Sequence, residues 1–295
     1  MKLVTFRIAA GREARAPAPG VLIEGGTKVA AIPGFASILE IVEGGRNALD
    51  RAHESIKHSP TVLAVGNVTL LAPIPHPPQM RDFLCFEKHL VQAFRAMGKA
   101  PPQAWYERPI FYHPNRFSVC GPEAEVPWPA YCEKLDFELE FGCYIGRPGK
   151  DIPQERAREH IFGYTIFNDF SARDEQAREM AGQLGPGKGK DFDNANAMGP
   201  CLVTADEIGD PYRLEMIVRV NGEEWGRGNS RDMHWKFEDC IAHASRSETL
   251  HPGEFFGSGT VGNGCGLENL RFLKPNDVVE LEVEGIGILR NKVVK

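Results

Sequence analysis

The sequence predicts an α+β protein that is predominantly β, with a small N-terminal α/β module. Short alternating apolar runs bounded by glycine and proline recur along most of the chain and are typical of strands. Helical periodicity is confined to a few segments. Four prolines fall within residues 73–78, where neither a helix nor a central strand can continue. We therefore expect residues 1–72 to form the module and residues 73–295 the larger domain.

These patterns assign the elements in order along the chain. In the module, strands are expected at residues 3–8 and 21–32, and helical spacing at residues 37–56 with a break at Gly44 and Gly45. In the larger domain, strands are expected at residues 135–145, 162–167, 214–220 and 278–294, and helices at 154–160, 174–180 and 235–247. The pair Asn221-Gly222 is a strong hairpin signal. Proline- or glycine-rich loops are expected at residues 122–129, 182–190 and 253–266.

Composition and charge restrict the class of protein. The chain has 295 residues, of which 42% are hydrophobic, and a formal net charge of −6. This composition excludes intrinsic disorder and argues against a general nucleic-acid binder, because such proteins are usually basic. No apolar run reaches the roughly 18 residues of a transmembrane helix, and Arg7 interrupts the apolar N-terminus, so neither a membrane nor secretion is expected. The seven cysteines form no CxxC pair, which indicates reduced thiols in a cytoplasmic protein.

Two segments alternate carboxylates with apolar residues. Within residues 135–141, Asp136, Glu138 and Glu140 share one face of a strand, because successive side chains point to opposite faces. The carboxylates of such a row repel one another unless they are solvated or bind a hard cation such as Mg²⁺, Mn²⁺ or Ca²⁺. Residues 280–284 show the same alternation. The local pattern alone favours an ordinary amphipathic strand for both segments and does not separate them.

Further polar residues are candidates for a site, each with a structural alternative. Asp169 ends an apolar strand, and Arg173 and Gln176 follow at i, i+3 spacing on one helix face. The alternative is a helix cap followed by solvated charges. His89 could act as a general base, or be a surface residue near a helix start. Lys190 ends a glycine-rich segment that forms either a flexible surface loop or a path that brings a lysine into a cleft.

The order of these segments resembles the fumarylacetoacetate hydrolase family. The motifs are Asp-Phe-x-x-Phe-Glu-x-His at 82–89, Leu-Asp-Phe-Glu-Leu-Glu at 135–140, Asn-Asp-Phe-Ser-Ala-Arg-Asp-x-Gln at 168–176, Lys-Asp-Phe at 190–192 and Gly-Thr-Val-Gly at 259–262. The resemblance covers roughly residues 73–295. It implies a mixed β-sandwich roll, usually a homodimer, with a divalent metal in each subunit.

The resemblance also implies roles for individual residues. The implied ligands of the metal, Mg²⁺ or Mn²⁺ with Ca²⁺ as an alternative, are Asp82, Glu138, Glu140 and Asp169. The implied catalytic residues are His89 as general base, Gln176 and Lys190 as transition-state contacts, and either Glu268 or Glu87 as the glutamate that orients the histidine. The implied substrate contacts are Arg173, Tyr112 and Thr260.

Two positions depart from the family pattern. Leu84 stands where the fumarylacetoacetate enzyme carries a tyrosine that contacts the substrate, which argues against fumarylacetoacetate itself. Gln92 stands where some branches carry a glutamate three residues after the histidine, which argues against the acylpyruvate and oxaloacetate branch.

The activity implied first is metal-dependent hydrolysis of a C–C bond in a small 1,3-diketo acid, acylpyruvate- or fumarylacetoacetate-like, as in the catabolism of aromatic compounds. In that reaction His89 would activate the attacking water. The alternatives on the same site are oxaloacetate decarboxylation and the isomerisation or hydration of 2-oxo acids. A metal-binding protein without catalysis is a further alternative. The expected partner is a small dicarbonyl substrate that carries a carboxylate.

Overall fold

The computed structural model describes residues 1–8, 16–58, 61–96 and 98–295. Within these ranges the chain forms twenty-one strands and seven α-helices, and most strands belong to two mixed sheets. The predicted α+β class, predominantly β, is confirmed. No helix in the described ranges combines the length and apolar character needed to cross a membrane.

The bounds of the elements are as follows. The strands of the first half are β1 (Lys2–Ile8), β2 (Ala18–Ile23), β3 (Lys28–Ala31), β4 (Val62–Ala64), β5 (Val68–Leu71), β6 (Met80–Phe83), β7 (Phe111–Tyr112), β8 (Val119–Cys120), β9 (Glu125–Pro127), β10 (Leu135–Asp136) and β11 (Leu139–Ile145). The strands of the second half are β12 (Gly149–Lys150), β13 (Ile161–Asp169), β14 (Ser171–Ala172), β15 (Asn196–Thr204), β16 (Glu215–Val220), β17 (Glu223–Asn229), β18 (Thr249–Leu250), β19 (Phe255–Gly257), β20 (Val278–Val283) and β21 (Gly287–Val294). The helices are α1 (Ile38–Glu43), α2 (Gly45–Lys57), α3 (Glu87–Ala96), α4 (Gln154–Ala157), α5 (Arg173–Met180), α6 (Ala205–Ile208) and α7 (Phe237–Ala244).

The N-terminal helical segment divides where the sequence predicts. Ser37 caps α1, because its hydroxyl accepts a hydrogen bond from the Glu40 amide at 3.1 Å. Gly45 has φ of 59°, a left-handed conformation that glycine adopts without steric cost. The segment therefore continues as a separate helix, α2.

The larger sheet joins the N-terminal strands to the rest of the chain. Its order is β4-β3-β2-β1-β15-β13-β11-β19-β6-β7, with β5 paired to β1 and β8 paired to β15. The junction is antiparallel pairing of β1 with β15, in which Leu3 lies opposite Leu202. Segments on both sides of residue 72 thus share one sheet, and the predicted domain boundary there stays a prediction.

The centre of this sheet is buried on both faces. Every residue of β11 is buried. Phe141 packs against Phe237 of α7 with ring centroids 5.1 Å apart, and Tyr144 packs against Phe255 at 5.2 Å. A polar side chain on these strands loses its water and needs a partner within the protein.

The second sheet, ordered β17-β16-β20-β21-β9, contains the carboxylate row at residues 280–284, whereas the row at residues 135–141 leads into the larger sheet. Asn221 and Gly222 have φ of 53° and 81° and form the predicted hairpin turn between β16 and β17. On β20 the glutamates are half-buried and alternate with buried apolar residues, and Glu282 accepts from Arg219 at 2.7 Å. Residues 280–284 therefore behave as an ordinary amphipathic strand.

Three predicted elements were wrong in detail. The expected loop at 122–129 contains β9, an edge strand parallel to β21. Proline has no amide hydrogen, but an edge strand can accommodate it because no further strand needs that hydrogen bond. The expected loop at 253–266 contains β19, which lies between β11 and β6. The expected strand at 135–145 is interrupted, since β10 pairs with β14 outside the main sheet.

Candidate active site

Four carboxylates converge in the interior near the ends of neighbouring strands. Glu140 lies on β11, Asp169 ends β13, Asp82 lies on β6, and Glu138 precedes β11. One oxygen atom from each of the four lies within 4.8 Å of the others, and all four side chains are buried. The sheet order β13-β11-β19-β6 brings these separate segments together.

Lys190 compensates part of this charge. Its Nζ donates to Glu138 Oε2 and to Asp169 Oδ2, each at 2.5 Å. Glu140 Oε2 and Asp169 Oδ1 are buried and have no hydrogen-bond partner among the described residues. Unpartnered buried carboxylate oxygens are costly, so this is an arrangement suited to a cation.

The pKa values of the cluster reflect burial and mutual repulsion. Burial raises the pKa of Asp82 and of Glu140 well above the usual range, and the neighbouring carboxylates add to the effect. Burial also raises the pKa of Asp169 to about 6, although Lys190 opposes the shift. For Glu138, burial is outweighed by Lys190 and an adjacent arginine, which lower its pKa below the usual range.

The donor set fits a hard divalent cation. All four donors are carboxylate oxygens, which Mg²⁺, Mn²⁺ and Ca²⁺ prefer over softer metals. Glu140 and Asp169 each keep one buried oxygen without a protein partner in the described part of the chain. The predicted ligands are therefore brought together in a form that a divalent metal would complete.

Tyr112 and Thr260 approach the same carboxylates. The Tyr112 hydroxyl donates to Asp169 Oδ2 at 2.6 Å, and Thr260 Oγ1 donates to Glu140 Oε1 at 3.4 Å. Burial, followed by the charge of Asp169, raises the pKa of Tyr112 well above the usual range. The phenol therefore stays protonated and remains a donor.

His89 is held by Glu268 and not by Glu87. His89 Nδ1 lies 2.8 Å from Glu268 Oε1, and their side chains are 8% and 0% exposed. Glu87 is exposed and accepts from the Tyr106 hydroxyl at 2.9 Å. The alternative assignment of Glu87 is thus not supported, because residues i and i+2 of a helix do not face each other. A carboxylate on Nδ1 selects the tautomer in which Nε2 can accept a proton.

Arg173 is anchored by a carboxylate whose role the sequence did not reveal. Its Nε donates to Asp136 Oδ2 and its Nη2 contacts Glu138 Oε1, both at 2.8 Å. Its Nη1 donates to Gln176 Oε1 at 2.9 Å. Asp136 also accepts the backbone amides of residues 266 and 267 at 2.7 and 2.9 Å. The alternation at 135–141 was the available signal for this residue, but it suggested a shared face instead of a separate anchor.

The charged groups form the floor of a cavity of about 730 Å³. The sequence-predicted residues that line it are Asp82, His89, Tyr112, Glu138, Glu140, Arg173, Gln176, Lys190 and Thr260. The apolar part of its wall comes from distant segments, and only the first of its residues was singled out beforehand, by the family comparison: Leu84, Leu90, Phe94, Ile110, Met180 and Leu184. Asp169 accepts hydrogen bonds from Tyr112 and Lys190, and Glu268 binds His89, so both contact residues that line the cavity.

A buried cluster of four carboxylates, near a histidine that is bound by a further carboxylate, is typical of a metal-dependent enzyme. The family model described as fumarylacetoacetate (FAA) hydrolase C-terminal matches residues 79–294. The chain belongs to the fumarylacetoacetate hydrolase family.

Several relatives match nearly the whole chain. A Xenopus laevis protein named oxaloacetate tautomerase fahd2, mitochondrial, is 33% identical over 100% of this chain and 90% of its own length. The structure of a fumarylacetoacetate hydrolase from Exiguobacterium antarcticum is 28% identical with a TM-score of 0.78, covering 99% of both chains. The structure of a 5-carboxymethyl-2-hydroxymuconate delta-isomerase from Mycobacterium smegmatis is 26% identical with a TM-score of 0.74, covering 100% of this chain and 99% of that one. The family thus includes hydrolases, isomerases and tautomerases.

Proposed function

We propose that the chain is a divalent-metal-dependent enzyme that interconverts the keto and enol forms of a small 2-oxo acid carrying a second carbonyl group. The observation that carries the proposal is the position of His89, bound by Glu268, in the cavity that Asp82, Glu138 and Glu140 of the carboxylate cluster also line. The relative named oxaloacetate tautomerase supports this reaction class. Tautomerisation therefore ranks ahead of the C–C hydrolysis first expected from the sequence. Similarity over the whole chain outweighs the single departure at Gln92.

The carboxylates Asp82, Glu138, Glu140 and Asp169 would hold Mg²⁺ or Mn²⁺. When bound, such an ion supplies Lewis acidity that polarises the substrate oxygens and favours the enolate. Lys190, already between two of these carboxylates, would keep a positive charge beside the developing negative charge.

His89 would move the proton. Its Nε2 would remove a proton from the carbon between the two carbonyls and return it to oxygen, or the reverse. Glu268 would hold the ring in the required tautomer and stabilise the imidazolium. Arg173 and Gln176 would orient the substrate carboxylate.

C–C hydrolysis is the second candidate, and the cavity volume favours it. About 730 Å³ leaves space for an acyl substituent and a water beside the small dicarbonyl core. In this reaction His89 would deprotonate the water, and Gln176 would donate to the oxyanion formed at the attacked carbonyl. The homodimer expected from the sequence and the cytoplasmic location stay predictions.

A substrate panel distinguishes these reactions. Enol oxaloacetate and several acylpyruvates are incubated with Mn²⁺-loaded protein, with chelator-treated protein as the control for spontaneous change. The enol ultraviolet band is followed and products are identified by mass spectrometry. Metal-dependent loss of the band at unchanged mass supports tautomerisation. Two fragments whose masses sum to substrate plus water support hydrolysis instead. No metal-dependent change with any substrate would contradict both.

A further inference from the structure

A second group of side chains that could hold a metal ion lies beside the carboxylate cluster. It consists of His89, Cys265 and Glu268, which offer one donor atom each within 4.8 Å of one another. The Cys265 thiol sulfur lies 3.9 Å from His89 Nδ1, and Glu268 Oε1 lies 2.8 Å from the same nitrogen. Cys265 and His89 are buried, and the Glu268 side chain is fully enclosed.

The chemistry of this group differs from that of the carboxylate cluster. A thiolate, an imidazole and a carboxylate form a donor set typical of Zn²⁺, whereas Mg²⁺ and Ca²⁺ take oxygen ligands. Sulfur and nitrogen ligands of tetrahedral zinc lie about 3.6 Å apart, close to the 3.9 Å between Cys265 Sγ and His89 Nδ1. Glu268 Oε2 is buried with no hydrogen-bond partner in the described ranges. This oxygen accepts no hydrogen bond from the described residues and is therefore available as a metal ligand.

The segment that carries the thiol is fixed in place. Cys265 forms a backbone bridge with Glu138. The next two amides donate to Asp136 at 2.7 and 2.9 Å. Ligands held by such contacts lose little conformational entropy on binding a metal.

We propose that His89, Cys265 and Glu268 form a second metal site that takes Zn²⁺ or another soft divalent ion, and that its occupation inhibits the enzyme. On binding, the Cys265 thiol proton passes to solvent as the metal–sulfur bond forms, with no electron transfer. The metal replaces the hydrogen bond between Glu268 and His89 Nδ1. The ring proton then resides on Nε2, which can no longer accept one. The inhibition rests on the proposed role of His89 as the base, whereas the binding does not.

A spectroscopic titration tests the binding. The protein is kept in excess Mg²⁺, and Co²⁺ is added as a probe, because a cobalt–thiolate bond gives a charge-transfer band in the near ultraviolet. We expect the band in the wild type and in the matched control Cys120→Ser, which removes another buried thiol that belongs to no such group in the described chain. We expect its loss in Cys265→Ser, with Cys265→Ala as a second variant if the first does not fold. No band in the wild type, or a band that persists without Cys265, would refute the site.

A Zn²⁺ titration of turnover tests the inhibition in the same Mg²⁺ excess. Each variant is compared with its own rate without zinc. Loss of a ligand should raise the inhibitory Zn²⁺ concentration at least about tenfold in Cys265→Ser and not in Cys120→Ser. If cobalt–thiolate binding is present but zinc leaves turnover unchanged, the metal site stands and the assignment of His89 as the base is contradicted.

Discussion

Replacement of Lys190 by methionine should destabilise the metal-free protein strongly. Its Nζ lies 2.5 Å from carboxylate oxygens of both Glu138 and Asp169, and its side chain is 4% exposed. Removing one partner of a buried ion pair costs about 3–5 kcal/mol, because the other charge stays buried without compensation. At about 2 °C per kcal/mol for a chain of this size, we expect Tm to fall by about 6–10 °C.

The size of this effect should depend on pH. Without the ammonium group, the pKa of Asp169 would rise further above its value of about 6. At pH 5 the carboxyl would be protonated in the folded variant, so the loss of stability should be smaller than at pH 7.5. Saturating Mn²⁺ at pH 7.5 should restore most of the loss, since the ion would compensate the same carboxylates.

Thermal unfolding after chelator treatment measures the change in Tm of Lys190→Met directly. The matched control is Lys188→Met, since Lys188 is exposed on the same loop. A Tm of Lys190→Met within about 1 °C of the wild type at pH 7.5 would refute the reasoning, because the carboxylates would then not depend on this cation.

Three further predictions follow from the geometry of the site. In steady-state assays, His89→Gln and Glu268→Gln should each lower kcat about a hundredfold or more, while the kcat of Glu87→Gln should stay within about twofold of the wild type. Equal losses in all three variants would contradict the pairing of His89 with Glu268. The rise in Tm on adding Mn²⁺ should grow between pH 5 and 7.5, because binding requires the carboxylate form of Asp169, whose pKa is about 6; a pH-independent rise would argue against this cluster. Gly257→Ala should weaken Mn²⁺ binding at least about tenfold, measured by calorimetry, because the added Cβ would overlap Asp82 Oδ1. Unchanged affinity in the folded variant would show that this oxygen is not a ligand.

The carboxylate row at residues 135–141 shows which features of the site a local sequence pattern can predict and which it cannot. Alternation placed Asp136, Glu138 and Glu140 on one face. In the structure, the interruption between β10 and β11 turns Asp136 toward Arg173, and the other two enter the cluster. Alternation could not reveal this break, because it depends on β10 pairing with β14 outside the main sheet.

Contacts between distant segments were not available from local pattern. Glu87 is two residues from His89 in sequence, yet Glu268, 179 residues away, forms the hydrogen bond. Asp82 meets Glu140 because β19 lies between their strands, and β19 itself was expected to be a loop. Only the family resemblance pointed to Asp82 and Glu268, and that information is evolutionary and not local.

A Mn²⁺ titration followed by electron paramagnetic resonance tests the central claim most directly, because the free ion gives a strong signal that is reduced on binding. The wild type and Glu140→Gln are compared after chelator treatment. We predict a single tight Mn²⁺ per chain in the wild type and at least about tenfold weaker binding in the variant. No binding by the wild type, or equal binding by both proteins, would contradict the assignment of the buried carboxylates as the metal centre.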